Sequence, residues 1–549
     1  MLAAVAASAL AFALYARMTW PWVALGWVGL VPWLAVLDRA ASVRAALAAG
    51  LLMSLAFVLA VFGWFAAAIG TYTGAPSPVA LVLLLAAAPL LEPQLLVFAL
   101  ARHLARWAAF GFWRATLAGA CAYVGSEWAL PKLFGDTLGH GLYASAWMRQ
   151  AADLAGAPGL TFLLVVANEC ALAGLRGLVA GPGIRRALAP AACIATLVLG
   201  LLGYGALRCH ELASDADRGG ALTAGIVQAD IGQYDRLRAH LGSFEAVRTI
   251  LDTHFALSTA LLGRHELDLL VWPETVYPTT FGTPKSETGA AFDREIEAFV
   301  ARTGVPLVFG TYDREDGREF NAAVFLEPAG RGRLSFETYR KASLFPLTER
   351  VPVALESEWL RRWLPWLGTW AAGAGARVVT LALPDGRMLH VAPLICYDVL
   401  DPRLALGAAR RGAELIVTLS NDSWFAEGPG PRLHLVGAAF LSIETRRPQL
   451  RATNTGISAV IAPTGEVLDA LGVDQRGTLV ATVRPEIPVT ALMVVWGIGS
   501  APPHSAPASC SSPRRSPAVR ASRKPVAAER QPGPPVGAVR GIGECSTVT

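Results

Sequence analysis

A multi-span α-helical membrane domain joined to a globular α/β domain is the fold class this sequence predicts. Three observations carry it. Hydrophobic residues make up 54% and charged residues only 16% of the 549 positions, more apolar surface than a soluble protein needs for its core. The apolar residues of roughly the first 207 positions fall in long runs separated by short breaks. Beyond about residue 208 the runs shorten to strand length and alternate with helical stretches.

The apolar runs lie at about 2–16, 20–37, 45–69, 78–100, 107–128, 157–175 and 189–206. Most come close to the ~20 residues of helix that cross a ~30 Å hydrocarbon core, the first and last being on the short side, and seven spans are predicted. For 2–16 a signal peptide is the competing reading. No basic residue precedes its apolar run, however, and further spans follow at once, which favours a retained helix. Basic residues cluster in alternate loops: Arg39 and Arg44, then Arg102, His103 and Arg106, then Arg176, Arg185 and Arg186. Those loops are expected on the cytoplasmic side. The intervening loop 70–78 carries no charge, as a translocated loop can. The N-terminus then starts inside, and seven spans carry everything after 207 to the outer side.

Residues 208–487 form the α/β domain, with strand-like runs at 223–227, 269–272, 307–309, 322–326 and 415–419. The runs 378–383 and 388–393 flank Pro384-Asp385-Gly386-Arg387, whose Asp-Gly step suits a tight hairpin turn. Residues 488–499 resemble the start of an eighth span but are too short to cross. The Pro/Ser/Arg-rich tail 500–549 lacks the apolar surface to order itself and is expected to be disordered.

Composition also narrows the partners. The formal charge of +5 is small and its Lys and Arg residues are scattered, so no nucleic acid is expected. The seven cysteines, at 121, 170, 193, 209, 396, 510 and 545, include no CxxC pair and no Cys/His cluster at metal-ligand spacing. Neither a disulfide framework nor a metal site is predicted. With no glycine-rich phosphate loop either, no cofactor is implied.

Three polar residues invite a chemical reading. Glu274 follows the apolar run 269–272, which Pro273 should terminate, leaving the carboxylate at the strand mouth. Cys396 ends a second apolar run, and Lys341 lies in the loop 338–346. Singly, each has a plain alternative: a helix-start carboxylate, a small core hydrophobe and a solvated lysine.

Together the order Glu, Lys, Cys, in the contexts Trp272-Pro273-Glu274, Tyr339-x-Lys341 and Ile395-Cys396-Tyr397-Asp398, resembles the nitrilase superfamily. The spacing and the membrane prefix make the chain similar to the apolipoprotein N-acyltransferase family. Further matches are Ile226-Val227-Gln228 with Gln233, Phe320-Asn321-Ala322, Asn421-Asp422-Ser423-Trp424-Phe425 and 451–458. They extend over almost the whole of 222–487.

The resemblance implies an αββα sandwich with Glu274, Lys341 and Cys396 catalytic and Glu349, Tyr397 and Asp398 supporting. Such a chain is a monomer in the bacterial cytoplasmic (inner) membrane, its catalytic domain on the outer, periplasmic side. It takes an acyl chain from a phospholipid and passes it, through a cysteine thioester, to the α-amine of diacylglyceryl-cysteine in apolipoproteins. The residue types suit this chemistry. A thiol with an ordinary pKa of about 8.5 needs a base or positive neighbours to act at neutral pH. Glu274 is the expected base, and Lys341 the expected stabiliser of the oxyanion, with Glu349 orienting Lys341. Two alternatives share the fold: a membrane-tethered amidase or nitrilase in which water replaces the amine, and an inactive relative that only binds.

The chain departs from the family pattern at several places. Lys341-Ala342-Ser343-Leu344-Phe345-Pro346-Leu347-Thr348-Glu349 stands where many members read Lys-x-His-Leu-Val-Pro-Phe-Gly-Glu. Asp398 replaces the usual Glu, and no tryptophan lies near 234–237. In place of the family's last transmembrane helix stand 488–499 and the polar tail. A shifted or truncated reading frame explains this, as does a genuine seven-span variant. If the frame is shifted, re-reading the underlying DNA in another frame from about Gly497 restores an apolar stretch of about 20 residues.

Overall fold

The computed structural model describes residues 1–496 except 131, 180–183, 216–219, 233, 331, 353–354, 365–366, 424–427 and 486–488. Gln233, Trp424, Phe425 and the tail 500–549 therefore lie outside the described residues, as do 488 and 497–499 of the partial eighth span.

The first half is helical: α1 (Leu2–Tyr15), α2 (Val31–Leu37), α3 (Val43–Phe62), α4 (Phe65–Thr73), α5 (Ser77–Leu91), α6 (Pro93–Trp107), α7 (Phe112–Ala129), α8 (Ala152–Val179) and α9 (Ile184–Asp215). Among the described residues, Val43–Phe62, Met148–Val179 and Ala187–Ser214 are each long and apolar enough to cross a bilayer. Two of the predicted runs are broken. The 45–69 run ends as α3 at Phe62 and restarts as α4, which is bent by 117° against α5. The 78–100 run divides at Glu92, because Pro93 brings no amide hydrogen and so opens a new helix. The buried Glu92 carboxylate finds Lys132 Nζ at 3.6 Å. At the far end α9 continues past 207, its polar last turns held by Arg208 bonding Asp153 and Glu211, each at 2.8 Å.

The three basic segments meet at one end of the helices. Arg102 and Arg106 reach Asp38 at 2.8 and 2.7 Å, Arg102 also binds Glu169, and Arg176 pairs with Asp38.

The α/β domain contains β1 (Leu222–Gln228), β2 (Leu269–Val271), β3 (Tyr277–Thr280), β4 (Leu307–Glu315), β5 (Arg318–Pro328), β6 (Leu334–Arg340), β7 (Val379–Ala382), β8 (Met388–Ile395), β9 (Leu415–Ser420), β10 (Gln449–Thr453), β11 (Ser458–Ile461), β12 (Val467–Leu471) and β13 (Gly477–Val483). One sheet runs β13-β1-β2-β4-β5-β6, with β3 beside β4; the other runs β12-β11-β10-β9-β8-β7. Their inner faces share a core that includes Ile226, Val271 and Phe325 from the first and Val391, Leu419 and Leu450 from the second. These Val, Ile, Leu and Phe residues are nearly water-free, each worth roughly 1.5–3 kcal/mol of transfer free energy. The β7–β8 hairpin turns at Gly386, whose φ of +86° only glycine adopts without strain.

Five helices cover the outer faces. They are α10 (Tyr234–Leu241), α11 (Ser243–Leu262) and α12 (Glu287–Thr303) on the first sheet, then α14 (Pro402–Arg410) and α15 (Gly430–Thr445) on the second. The short α13 (Glu358–Trp363) lies between β6 and β7, and α16 (Leu492–Trp496) ends the described chain. The domain is thus the αββα sandwich that the resemblance implies.

Helix α15 is buried on both sides. Leu435 and Ala438 pack on the second sheet, whereas Val436, Phe440 and Ile443 join the core of the membrane helices. Its C-terminal neighbour Arg446 is fully buried and donates to Asp153 Oδ2 at 2.7 and 3.1 Å and to Gln150 at 2.6 and 3.0 Å. Glu444 accepts from the Ala157 amide at 2.9 Å, just after the kink of α8 at Ala155 and Gly156. Removing one member of a buried pair strands the other charge. Arg446→Met is therefore expected to cost about 3 kcal/mol, the low end for such pairs because Arg208 still serves Asp153. The thermal-unfolding midpoint in detergent should fall by several degrees; an unchanged midpoint would refute the claim.

Candidate active site

The site lies at the ends of β2, β6 and β8, beside Asn321 within β5. Strand β2 stops where Pro273 interrupts the ladder, and Glu274 turns inward beside Gly310, whose absent side chain leaves room for that backbone. A Cβ on Gly310 would stand 2.4 Å from the Thr275 nitrogen. Asn321 is on β5, and Lys341 directly follows β6, its amide donating to the Asn321 carbonyl at 2.8 Å. Cys396 follows β8 with a φ of +46°, the left-handed region that side-chain-bearing residues avoid and that recurs at functional sites.

These elements bring Glu274, Lys341, Glu349 and Cys396 together, all but Glu349 almost fully buried. Lys341 Nζ lies 2.8 Å from Glu349 Oε1 and 3.4 Å from Glu274 Oε1. Asn321 Nδ2 donates to Glu274 Oε1 at 2.7 Å and to Glu349 Oε1 at 3.3 Å, and the Phe345 amide donates to Glu349 Oε2 at 2.7 Å. Asn454, following β10 in the opposite sheet, donates to the Glu274 carbonyl at 2.7 Å. Glu349 is thus tied into the site by Lys341, Asn321 and the Phe345 amide.

The charges balance in a definite way. Burial raises the Glu274 pKa, Lys341 opposes the rise and Glu349 adds to it, so the carboxyl stays above its ordinary range. Burial disfavours the Lys341 cation, but Glu349 and Glu274 outweigh it and keep the ammonium charged. Burial, and then the charge of Glu274, push the Cys396 thiol up. These shifts favour the protonated thiol at Cys396, beside the Lys341 cation and the raised Glu274 carboxyl.

The two residues after Cys396, expected from the sequence to support the site, make different contacts. Asp398 accepts from the Ser343, Ala342 and Ile395 amides at 2.7, 3.2 and 2.9 Å and from the Tyr339 hydroxyl at 2.9 Å. It stitches the Lys341 loop to the turn at Cys396. Burial raises its pKa to about 6 against those donors, leaving it ionised at neutral pH. Tyr397 points toward the membrane helices: its hydroxyl donates to the Leu133 carbonyl at 2.6 Å, and its ring lies 5.0 Å from Phe345.

Between these parts is a largely apolar cavity whose wall includes six phenylalanine rings: Phe12, Phe57, Phe62 and Phe65 of the membrane helices, Phe134 of the segment after α7 and Phe345 of the Lys341 loop. Cys396 and His434 stand in its wall. His434, Arg451 and the roles of Asn321 and Asn454 were not assigned from sequence. One signal was available for His434: it is the only ionisable residue besides Arg432 and Glu444 on an otherwise apolar helix.

A family profile described as carbon-nitrogen hydrolase matches residues 223–487, and another, the apolipoprotein N-acyltransferase N-terminal domain, matches residues 6–170. The apolipoprotein N-acyltransferase of Bdellovibrio bacteriovorus is 30% identical over 385 residues, covering 67% of each chain. That of Chlorobaculum tepidum is 27% identical over 470 residues, covering 80% of this chain and 83% of its own. Among solved structures, an amidase from Nesterenkonia sp. aligns with 49% of this chain and 93% of its own, at 20% identity and a TM-score of 0.35.

Proposed function

The chain belongs to the apolipoprotein N-acyltransferase family, and from that premise we propose that it moves an acyl chain from a membrane phospholipid, via Cys396, to the α-amine of diacylglyceryl-cysteine in apolipoproteins. The observation that carries the reading is the apolar cavity that joins Cys396 to the membrane helices. A buried thiol facing such a wall suits a donor that arrives from the bilayer, whereas an enzyme of small soluble amides has no use for that wall.

In the first half-reaction Glu274 takes the Cys396 proton as the sulfur attacks the ester carbonyl of the donor. Lys341, kept cationic by its two carboxylates, stabilises the oxyanion together with a backbone N–H after the nucleophile. Collapse breaks the ester C–O bond, and the departing oxygen takes the proton back from Glu274. A Cys396 thioester and a lysophospholipid result. In the second, the neutral α-amine attacks the thioester and gives its proton to Glu274. The C–S bond breaks, the thiolate is reprotonated, and the N-acylated product leaves.

Glu349 orients Lys341, Asp398 holds the loop that carries it, and Tyr397 holds the nucleophile turn against the segment 132–133. The meeting of the three basic segments supports their lying on one side, the cytoplasmic one. With the seven spans expected from the sequence and an inside start, the catalytic domain lies on the periplasmic side of the inner membrane.

The test is to incubate membranes containing the full chain with an alkyne-tagged phospholipid. The expected result is a hydroxylamine-sensitive acyl label on the chain that moves to an added diacylglyceryl-cysteinyl peptide. No label on correctly inserted protein would sink the reading, and a label discharged only to water would favour the hydrolase.

A further inference from the structure

His434 stands 38 positions after the nucleophile, on α15, yet its Nε2 lies 3.2 Å from the Cys396 carbonyl oxygen. A carbonyl oxygen only accepts, so this contact needs the hydrogen on Nε2. The ring's other nitrogen meets two groups at 3.0 Å, Asp422 Oδ1 and Arg451 Nη2. Arg451 also donates to Asp422 Oδ2 at 2.9 Å, and the Ser420 hydroxyl donates to Asp422 Oδ1 at 2.7 Å. Asp422 and Arg451 are fully buried and His434 nearly so. If Nδ1 carries a proton it donates to Asp422; if not, it accepts from Arg451. In both states the imidazole is gripped and its Nε2–H faces the Cys396 carbonyl.

That carbonyl belongs to the residue whose backbone most needs holding. Cys396 sits at φ +46°, a conformation that persists in a side-chain-bearing residue only where its surroundings over-determine it. On the preceding side Asp398 fixes the Ile395 amide, so His434 supplies the hold on the following peptide group. A ring nitrogen of His434, Cys396 Sγ and an Asp422 oxygen all lie within 4.8 Å of one another, so a shift of the imidazole moves the sulfur's immediate surroundings.

We infer that His434, gripped by Asp422 and Arg451, is a positioning residue that pins the strained backbone of Cys396 through its Nε2–H and so aims the sulfur at the acyl carbonyl. The inference rests on the acyl-enzyme reading above. It assigns the imidazole no proton transfer: the N–H is a fixed donor, and any group presenting an N–H at that point should serve.

The test compares His434→Gln with His434→Asn in the purified full-length chain, following single-turnover labelling by the alkyne-tagged phospholipid across donor concentrations. A glutamine amide nitrogen reaches about as far as Nε2, whereas that of asparagine falls short. The expected result is a glutamine variant that keeps most of the wild-type rate and an asparagine variant slowed about 100-fold at saturating donor, the scale of an ångström-level misplacement. The donor concentration giving half-maximal rate should move far less than the rate, because of the cavity wall only His434 is replaced and the phenylalanine rings that face the chain are untouched. An asparagine variant as fast as wild type, or a folded glutamine variant as slow as asparagine, overturns the inference. If asparagine fails to fold, the glutamine variant decides alone. A wild-type chain that takes no label overturns the acyl-enzyme reading instead.

Discussion

Cys396→Ala is expected to take no hydroxylamine-sensitive label and to lower N-acylation about 10⁴-fold or more, since among the described residues of the site the covalent route has no second nucleophile to fall back on. Lys341 is the nearest candidate, but Glu349 and Glu274 hold it as an ammonium without a free electron pair. Ser343 lies in the same loop, yet its amide is committed to Asp398 and its hydroxyl faces Asp401 at 3.5 Å. The substitution should leave the fold intact. Alanine removes one sulfur from a packed site and adds no new group, and the hydrogen bonds at this turn involve the Cys396 carbonyl and the Ile395 amide, both backbone. Comparison of label with thermal midpoint therefore separates chemistry from folding. Undiminished label in a folded Cys396→Ala chain would move the acyl site elsewhere and dissolve the mechanism.

The parts of this molecule legible in its sequence are those governed by local pattern. Pro273 marks the end of β2 because a residue with no N–H cannot extend a ladder, and that alone leaves Glu274 at the strand mouth. The Asp385-Gly386 step marks the β7–β8 turn for an equally local reason. Glu274, Lys341 and Cys396 are individually ordinary, and only their order and contexts single them out before the fold brings them together. The break at Glu92 was missed, the run 78–100 being read as one span, although a carboxylate followed by proline inside an apolar run argues against a continuous helix. What local pattern cannot supply is the meeting of distant segments. Nothing near Arg446 announces Asp153, which lies 293 positions earlier, and nothing near Cys396 announces His434. The positive φ of Cys396 is likewise imposed by its surroundings, since cysteine has no intrinsic preference for that region.

Thioester formation is expected to fall with decreasing pH along a limb that belongs to Glu274, and Glu274→Gln should erase that limb while slowing the step about 10²–10⁴-fold. The sign follows from the role: a base must be deprotonated to receive the thiol proton, so activity is present above its pKa and lost below it. Burial is the main cause that raises this pKa, Lys341 lowers it and Glu349 raises it, so the limb should lie above the ordinary carboxylate range. Glu349→Gln separates the contributions. Removing that negative neighbour lowers the Glu274 pKa and moves the limb to lower pH. The same change removes the 2.8 Å partner of Lys341, so the plateau rate falls even as the limb shifts. Asp398 is the rival owner of such a limb, because burial raises it to about 6. It does not face the thiol as a base: its oxygens are engaged by three backbone amides and the Tyr339 hydroxyl. A limb that survives in folded Glu274→Gln and disappears in Asp398→Asn would assign the titration to the loop and remove Glu274 from the role of base.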